Sequence, residues 1–126
     1  MDKEIIHTSA APGAVGPYSQ GVVAGGFIFT AGQLALDPVT GKIVGETIEE
    51  QTRRVLDNLK AVLEAAGSSM EKVVKTTVFI TDMQHFARMN AVYAEYFSNQ
   101  PPARSTLPMT SLPLGGLVEI ECIALA

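Results

Sequence analysis

The sequence of 126 residues is poor in the side chains that form disulfides or bind metal ions, because it contains one cysteine and two histidines. The single cysteine, Cys122, excludes a disulfide bond within the chain. The two histidines, His7 and His85, cannot be combined with it into a cluster at metal-ligand spacing. We therefore expect no metal site, no cofactor, and no catalysis by a Cys/His nucleophile pair.

Basic runs are also absent. Nine Lys and Arg residues stand against thirteen Asp and Glu residues, so the formal net charge is −4. A surface that follows the phosphates of a nucleic acid needs clustered positive charge, which this sequence does not supply. We expect no nucleic-acid partner, whereas a small anionic metabolite remains compatible with this balance.

No apolar run approaches the length of a membrane span, and the first residues are polar rather than typical of a signal peptide. These features predict a cytoplasmic protein without a membrane partner. The hydrophobic fraction of 47% is sufficient for a buried core, and the length fits one domain. We expect residues 1–126 to form that single domain.

The strongest local signal is a helix that begins after Thr47. Thr47 and Glu50 form the pattern of a capping box, in which each side chain accepts a hydrogen bond from the other residue's backbone N–H. On the outer face, the spacing predicts weak ion pairs of Glu49 with Arg53 and of Glu50 with Arg54. An apolar stripe at helical spacing predicts the buried face: Ile48, Val55, Leu56, Leu59, Val62, Leu63 and Ala66.

A second helix is predicted to begin at an N-cap formed by Asp82 or Thr81 and to end before Pro101. His85 lies in its first turn, where we expect a solvated surface group. One stripe of this helix is apolar and aromatic, which is typical of a core-facing surface: Phe86, Met89, Tyr93, Tyr96 and Phe97.

The remaining segments favour β-strands. Gly25-Gly26 lies between two apolar runs and predicts a two-residue hairpin turn. Residues 73–80 are rich in β-branched side chains, and because one helix precedes this strand we expect it to be parallel to the strand before that helix. With further strands at residues 4–7, after Arg104 and at 117–125, the chain is predicted to be an α+β domain with about six strands.

The last strand alternates clearly. Cys122 shares one face with Val118, Ile120 and Ala124, whereas Glu119 and Glu121 point to the opposite face. The first set predicts the side covered by the two helices, with Cys122 as a small buried hydrophobe. The other strands carry apolar residues on both faces, so we expect further copies of the chain to cover the helix-free face.

Two residues are candidates for ligand binding, and each has a simpler interpretation. Arg104 follows two prolines at the start of a strand, where it could bind a carboxylate or phosphate or could form a weak surface ion pair. Tyr18 follows Gly16-Pro17, where its hydroxyl could contact a ligand or could simply be satisfied within the protein. The residues alone leave both alternatives open.

Five segments in this order resemble the reactive intermediate deaminase (Rid) family, in particular its RidA branch: residues 16–20, 31–33, 74–79, 102–105 and 118–121. The resemblance covers essentially the whole chain. It implies a chorismate-mutase-like α+β domain with a mixed six-stranded sheet and two helices on one face. It also implies a homotrimer with sites between subunits and the hydrolysis of 2-imino acids, such as 2-iminobutanoate and 2-iminopropanoate, to 2-oxo acids and ammonia.

The resemblance also implies roles for individual residues. Arg104 would bind the substrate carboxylate, Glu119 would position the attacking water and accept its proton, and Tyr18 would line the cleft from a different subunit than Arg104. The remaining substrate-binding positions would be Gly32, Thr106, Asn90 and Ala31. Many family members have cysteine where this chain has Thr106 and serine where it has Ala31, so the two positions could change which imino acid fits best.

A second class of function remains open. The same cleft could bind 2-oxo acids or related carboxylates as a sensor without turnover, in which case Glu119 would be dispensable. RNA cleavage, a third possibility raised by some relatives, fits poorly with the acidic charge balance.

Overall fold

The computed structural model describes residues 2–126. The helices are α1 (Ile48–Ala65) and α2 (Phe86–Tyr96), and three short 3-10 turns lie at Met70–Lys72, Met83–His85 and Pro113–Gly115. The predicted chorismate-mutase-like α+β fold, with two helices on one face of a mixed sheet, is confirmed. Its six strands are β1 (Glu4–Ile6), β2 (Gly21–Ala24), β3 (Phe27–Thr30), β4 (Val73–Ile80), β5 (Ala103–Pro108) and β6 (Val118–Leu125).

The strands are ordered β1-β2-β3-β6-β4-β5 across the sheet. All neighbours are antiparallel except β4 and β5. The predicted hairpin is confirmed, since Gly25 and Gly26 join β2 to β3 with φ values of 59° and 83°. Strand β4 runs in the same direction as β3, as expected, but the last strand of the chain lies between them. The crossover through α1 therefore leaves a gap that β6 fills.

Helix α1 begins with the predicted capping box, in which Glu50 N–H donates to Thr47 Oγ1 and Thr47 N–H donates to Glu50 Oε1. Its apolar stripe is buried against the sheet, where it meets side chains such as Ile28, Val78 and Ile120. Burial of this continuous apolar surface is the main stabilising contribution to the fold.

The predicted ion pairs within α1 are wrong. Arg53 pairs instead with Glu95 on α2 at 2.9 Å, and Glu49 pairs with Arg88 on α2 at 2.7 Å. Glu50 is occupied by the capping box, so it is not available to Arg54. Because α2 packs against α1, its charged side chains form bidentate ion pairs with α1, and the spacing of residues within α1 alone cannot predict such pairs.

Helix α2 begins later than predicted. Asp82 accepts a hydrogen bond from Gln84 N–H and so caps the 3-10 turn, and the α-helix starts at Phe86. The expectation that His85 is solvated is wrong for one of its atoms, since Nδ1 is buried without a hydrogen-bond partner in the described residues. The aromatic stripe is confirmed as core at Tyr93 and Phe97, which are buried.

Strand β6 alternates as predicted, with Val118, Ile120, Cys122 and Ala124 buried beneath the helices. Burial raises the pKa of the Cys122 thiol to about 11, which keeps it protonated at neutral pH. The opposite side of the sheet, called the helix-free face below, carries exposed large hydrophobic side chains: Ile5, Phe27, Phe29, Leu107 and Leu125. In residues 2–126, no helix has the length and apolar composition needed to cross a membrane.

Candidate functional site

A cavity of about 580 Å³ lies where three segments of the chain meet. The loop before β2 contributes Tyr18, the segment after β3 contributes Ala31 and Gly32, and β6 contributes Glu119. Apolar side chains form much of the remaining wall, among them Val15, Leu36 and Leu114. Four residues implied by the family resemblance are thus brought together around one cavity.

Close backbone contact places Glu119 in this cavity. Gln33 and Ile120 exchange two backbone hydrogen bonds, at 2.9 and 3.2 Å, which align the segment after β3 with the start of β6. A Cβ atom on Gly32 would lie 2.9 Å from Glu119 Cδ and 3.0 Å from Glu119 Oε2. Glycine at position 32 therefore allows the carboxyl group to lie directly against the backbone.

The Glu119 carboxyl group is half-buried and makes no hydrogen bond within the described residues. Burial, and to a lesser extent the neighbouring carboxyl group of Glu121, raises the pKa of Glu119 above its usual value. A carboxylate with a raised pKa in a cavity is a candidate general base, because its proton affinity is closer to that needed near neutral pH.

Tyr18 lies on a tight turn, in which its N–H donates to the carbonyl of Gly16 at 2.8 Å. The side chain is 51% exposed, and its hydroxyl oxygen accepts a long hydrogen bond from Val15 N–H at 3.4 Å. The phenol is therefore not packed into the core. The hydroxyl is exposed but already accepts this one bond within the protein, so both alternatives left open by the sequence stay open.

Arg104 lies elsewhere, on the edge strand β5. Register with Thr76 on β4 directs its side chain to the helix side of the sheet, where Nη1 donates to Asn90 Oδ1 at 2.7 Å. The guanidinium carbon lies 4.8 Å from the ring centroid of Tyr93 and 5.4 Å from that of Phe86. Within residues 2–126 it has no carboxylate partner, so its remaining N–H groups can bind an anion.

The two aromatic neighbours of Arg104 were predicted only as core residues. Phe86, Asn90 and Tyr93 follow one another at i, i+4 and i+7 on α2, which is the spacing of one helix face. Because guanidinium groups are attracted to aromatic rings, this spacing could have indicated that one face of α2 contacts an arginine. Tyr93 is in turn held by Thr76, whose hydroxyl lies 2.7 Å from the Tyr93 hydroxyl.

The predicted site residues do not all lie together within one chain. Arg104, Asn90 and Thr106 belong to the β5 edge and the helix side, whereas Glu119 points to the helix-free face beside Phe79. Within a single copy, the sheet itself separates the guanidinium from the carboxylate. Within one copy, Arg104 and Glu119 therefore do not face the same cavity.

The profile of the family described as Endoribonuclease L-PSP matches residues 8–126. The chain belongs to this family. It is 54% identical over 122 residues to a RutC family protein of Pyrococcus horikoshii, an alignment that covers 97% of both chains. It is 47% identical over 124 residues to Reactive Intermediate Deaminase A, chloroplastic, of Arabidopsis thaliana, covering 98% of this chain and 66% of that protein.

Solved structures of L-PSP and Rid proteins share the fold. YyfA of Yersinia pestis, described as a protein of unknown function of the conserved Rid family, superposes with a TM-score of 0.96 at 47% identity, covering 99% of this chain and 100% of that chain. E. coli TdcF with bound serine superposes with a TM-score of 0.93 at 44% identity, covering 98% of both chains. Family membership at the level of the Rid proteins is thereby supported.

Proposed function

We propose that this L-PSP family protein hydrolyses 2-imino acids, such as 2-iminobutanoate and 2-iminopropanoate, to 2-oxo acids and ammonia. The observation that carries the proposal is the half-buried carboxyl group of Glu119, which lies in the cavity. Its pKa is raised, and it has no hydrogen-bond partner in the described chain. The name of the Arabidopsis thaliana relative, a reactive intermediate deaminase, supports the reaction class.

Water is the nucleophile in the proposed reaction. Protonation of the imine nitrogen makes the imine carbon electrophilic, and Glu119 accepts a proton from water as the C–O bond forms. Glu119 then returns this proton to the amino nitrogen of the carbinolamine and accepts the hydroxyl proton as the C–N bond breaks. Ammonia takes up the last proton, so the products are a 2-oxo acid and ammonium. General acid–base catalysis of this kind is typically worth about 10²–10⁴-fold in rate.

Arg104 is the proposed binding group for the substrate carboxylate. Its position is set before the substrate arrives by the hydrogen bond to Asn90 and by contact with the Tyr93 ring. A guanidinium can form two parallel hydrogen bonds to a carboxylate, each worth about 1.5–3 kcal/mol. Such preorganisation matters for a substrate with few heavy atoms, because binding then requires little ordering of the protein.

The proposed assembly is a homotrimer with each site shared between neighbouring copies. Two observations support an oligomer: Arg104 and Glu119 lie on opposite faces of one sheet, and the helix-free face exposes Phe27 and Phe29 at 40% and 44%. Burial of such aromatic side chains is a common driving force for association. Tyr18 lies with Glu119, so Arg104 of each site would come from a different copy.

A complementation experiment tests the shared site. Chains with Arg104→Ala and chains with Glu119→Gln are each expected to be inactive, whereas equal co-expression should give trimers in which about a quarter of the sites are intact. The measurement is deaminase activity per site, with the mass of the mixed oligomer determined by light scattering.

The control for complementation is co-expression of Arg104→Ala with the double variant Arg104→Ala, Glu119→Gln. This mixture contains no intact site in any arrangement and is expected to remain inactive. Mixtures of the two single variants that are no more active than this control would contradict a site shared between copies.

Gly32 provides a test of the cavity geometry. Gly32→Ala is expected to lower kcat by at least about 10-fold, because the new Cβ would displace the Glu119 carboxyl group by a sizeable fraction of an ångström. Gly13→Ala is the matched control, since Gly13 lines the same cavity but a Cβ there has no heavy atom within 4 Å. Steady-state kinetics of both variants measure the difference, and equal activities would contradict the proposed position of the base.

The decisive test of the function couples the protein to a threonine dehydratase. Semicarbazide traps free imine, so the protein should increase the yield of 2-oxobutanoate over that of the trapped product. No acceleration over trapping by the wild-type protein would exclude the proposed deaminase.

A non-catalytic carboxylate sensor is the second candidate. It is favoured by one observation, namely that the structure of the relative E. coli TdcF contains bound serine, a ligand with a carboxylate. The two candidates differ in their need for Glu119. Binding of 2-oxobutanoate by a wild-type protein that has no turnover in the trapping assay would support the sensor.

A further inference from the structure

The buried side chain of Gln20 makes four hydrogen bonds to a segment of backbone next to the cavity. The two hydrogens of its Nε2 group reach three carbonyls, those of Thr8 at 3.0 Å, Pro12 at 2.8 Å and, through a shared hydrogen, Ala11 at 3.3 Å. Its Oε1 accepts from Thr8 N–H at 2.7 Å. Gln20 is only 2% exposed, so these bonds are shielded from competing water.

These bonds close a loop. Residues 13–19, called the cavity loop here, run from Pro12, whose carbonyl is held by Gln20, to Gln20 itself. The backbone of Gln20 is also fixed, because its carbonyl accepts from Ala31 N–H at 2.9 Å in the segment that forms another wall of the cavity. Gln20 thus joins both ends of the cavity loop to the rigid sheet.

Within the cavity loop, few contacts determine its conformation. The hydrogen bond between Tyr18 N–H and Gly16 is local, and the long one between Val15 N–H and the Tyr18 hydroxyl is exposed. Such contacts are weak on their own, since water competes with them. The position of Tyr18 therefore depends on how the two ends of its loop are held.

We propose that Gln20 is a positioning residue for the reaction, which fixes the cavity loop so that the Tyr18 hydroxyl is held on the same side of the substrate as Glu119. This inference rests on the proposed deaminase function. Gln20 itself touches no substrate, because its amide is fully engaged with the backbone.

The opposite wall is held in a similar way. Asn58 of α1 is fully buried, and its Nδ2 group donates to the carbonyls of Leu34 at 3.1 Å and Leu36 at 2.9 Å. Both leucines line the cavity. Two irregular segments on either side of the site are thus each fixed by one buried amide.

A double-mutant cycle tests the inference. Gln20→Met keeps the side-chain length but removes all four hydrogen bonds, and kcat/KM is expected to fall by about 10- to 100-fold through misplacement of Tyr18. In a Tyr18→Phe background the same change should cost less than about 3-fold, since the hydroxyl is already absent. Equal losses in both backgrounds would overturn the inference, even if the enzyme is active.

Gln51→Met is the matched control. Gln51 is also buried, at 3% exposure, and makes hydrogen bonds to the Gly45 carbonyl and to Leu117 N–H, neither of which lines the cavity. We expect this change to lower the free energy of unfolding while its effect on kcat/KM, if any, is the same in both Tyr18 backgrounds. If Gln20→Met does not fold, the cycle is run with Gln20→Asn, which keeps the amide but is too short to reach all its partners.

Hydrogen exchange gives a readout that does not require turnover. The amides of Val15 and Tyr18, which donate the hydrogen bonds within the cavity loop, and of Thr8, which donates to Gln20 Oε1, should exchange faster in Gln20→Met than in the wild type. Their exchange should be unchanged in Gln51→Met. Unchanged exchange in Gln20→Met would overturn the role of Gln20. An inactive wild-type protein would instead overturn the deaminase function, and the exchange data would still decide whether Gln20 holds the cavity loop.

Discussion

Replacement of Arg104 by alanine is expected to lower kcat/KM for 2-imino acids by about 10²- to 10⁴-fold, the equivalent of two lost charge-assisted hydrogen bonds. The affinity for 2-oxobutanoate, which has the same carboxylate, should fall in parallel. Stability should fall modestly, because the change also removes the hydrogen bond to Asn90 and the contacts with the rings of Tyr93 and Phe86. The measurements are the semicarbazide competition assay and calorimetric titration.

Arg88→Ala is the matched control for this prediction. It removes the same charge from the same region of the chain, but Arg88 pairs with Glu49 on the outer surface, where ion pairs contribute little. Activity close to that of the wild type is therefore expected. If Arg104→Ala matched this control in the trapping assay, Arg104 would not be the carboxylate-binding group and the deaminase mechanism would fail.

Replacement of Glu119 by glutamine should have the second large effect. Turnover is expected to fall by about 10²- to 10⁴-fold, the usual contribution of a general base, while the affinity for 2-oxobutanoate is retained. Glu121→Gln, which changes the next carboxyl group on the same strand face, should leave turnover nearly unchanged. Persistence of wild-type turnover in Glu119→Gln would exclude Glu119 as the base.

The raised pKa of Glu119 also predicts a pH dependence. The proposed base acts in its ionised form, so kcat/KM should fall as the pH decreases through a pKa above the usual carboxyl range. This acidic limb should shift in Glu121→Gln toward lower pH, because removal of the neighbouring negative charge makes ionisation of Glu119 easier. A pH–rate profile of both proteins measures the shift.

Stability should depend on the same group with a defined sign. Since the pKa of Glu119 is higher in the folded than in the unfolded chain, its stabilising contribution is present at low pH and is lost as the pH rises through the folded-state value. Glu119→Gln remains neutral throughout. Urea unfolding should therefore show the variant to be more stable than the wild type near neutral pH, with a difference that disappears in acid.

Local elements were predictable because they depend on neighbouring residues. The capping box of Thr47 and Glu50, the Gly25-Gly26 hairpin and the alternation of the last strand are all confirmed. Each is determined by contacts within about one helical turn or one strand pair. The fold class followed from the number and type of these elements.

Predictions failed where a distant residue competed for a local partner. Glu49 and Arg53 each satisfy the spacing for an ion pair within α1, yet both bind residues of α2, because helix packing offers bidentate geometry. Helix α2 begins later than predicted because Asp82 caps a 3-10 turn that precedes it. In both cases residue spacing was considered within one helix, whereas the structure contains a second element that takes up the same side chains, namely α2 for the ion pairs and a 3-10 turn for Asp82.

The roles assigned to Arg104, Glu119 and Tyr18 came from a family resemblance and stay predictions. The residues themselves indicated only an arginine at a strand entrance, a glutamate among apolar neighbours and a tyrosine on a turn. What the structure adds is their placement, in which Tyr18 and Glu119 share one cavity and Arg104 lies apart from them.

Residue type and periodicity were enough to predict most helices and strands and the apolar face of each element. The prediction that further copies cover the second face of the sheet rests on the same patterns. Tertiary packing was needed to show that Arg104 and Glu119 lie on opposite faces, that Tyr93 and Phe86 contact the guanidinium, and that Gln20 bonds to the backbone of Thr8, Ala11 and Pro12. The physical reason is that strand order and register depend on pairing between residues far apart in the chain. A pattern of period 2 or 3.6 specifies a face but not which strand lies beside it.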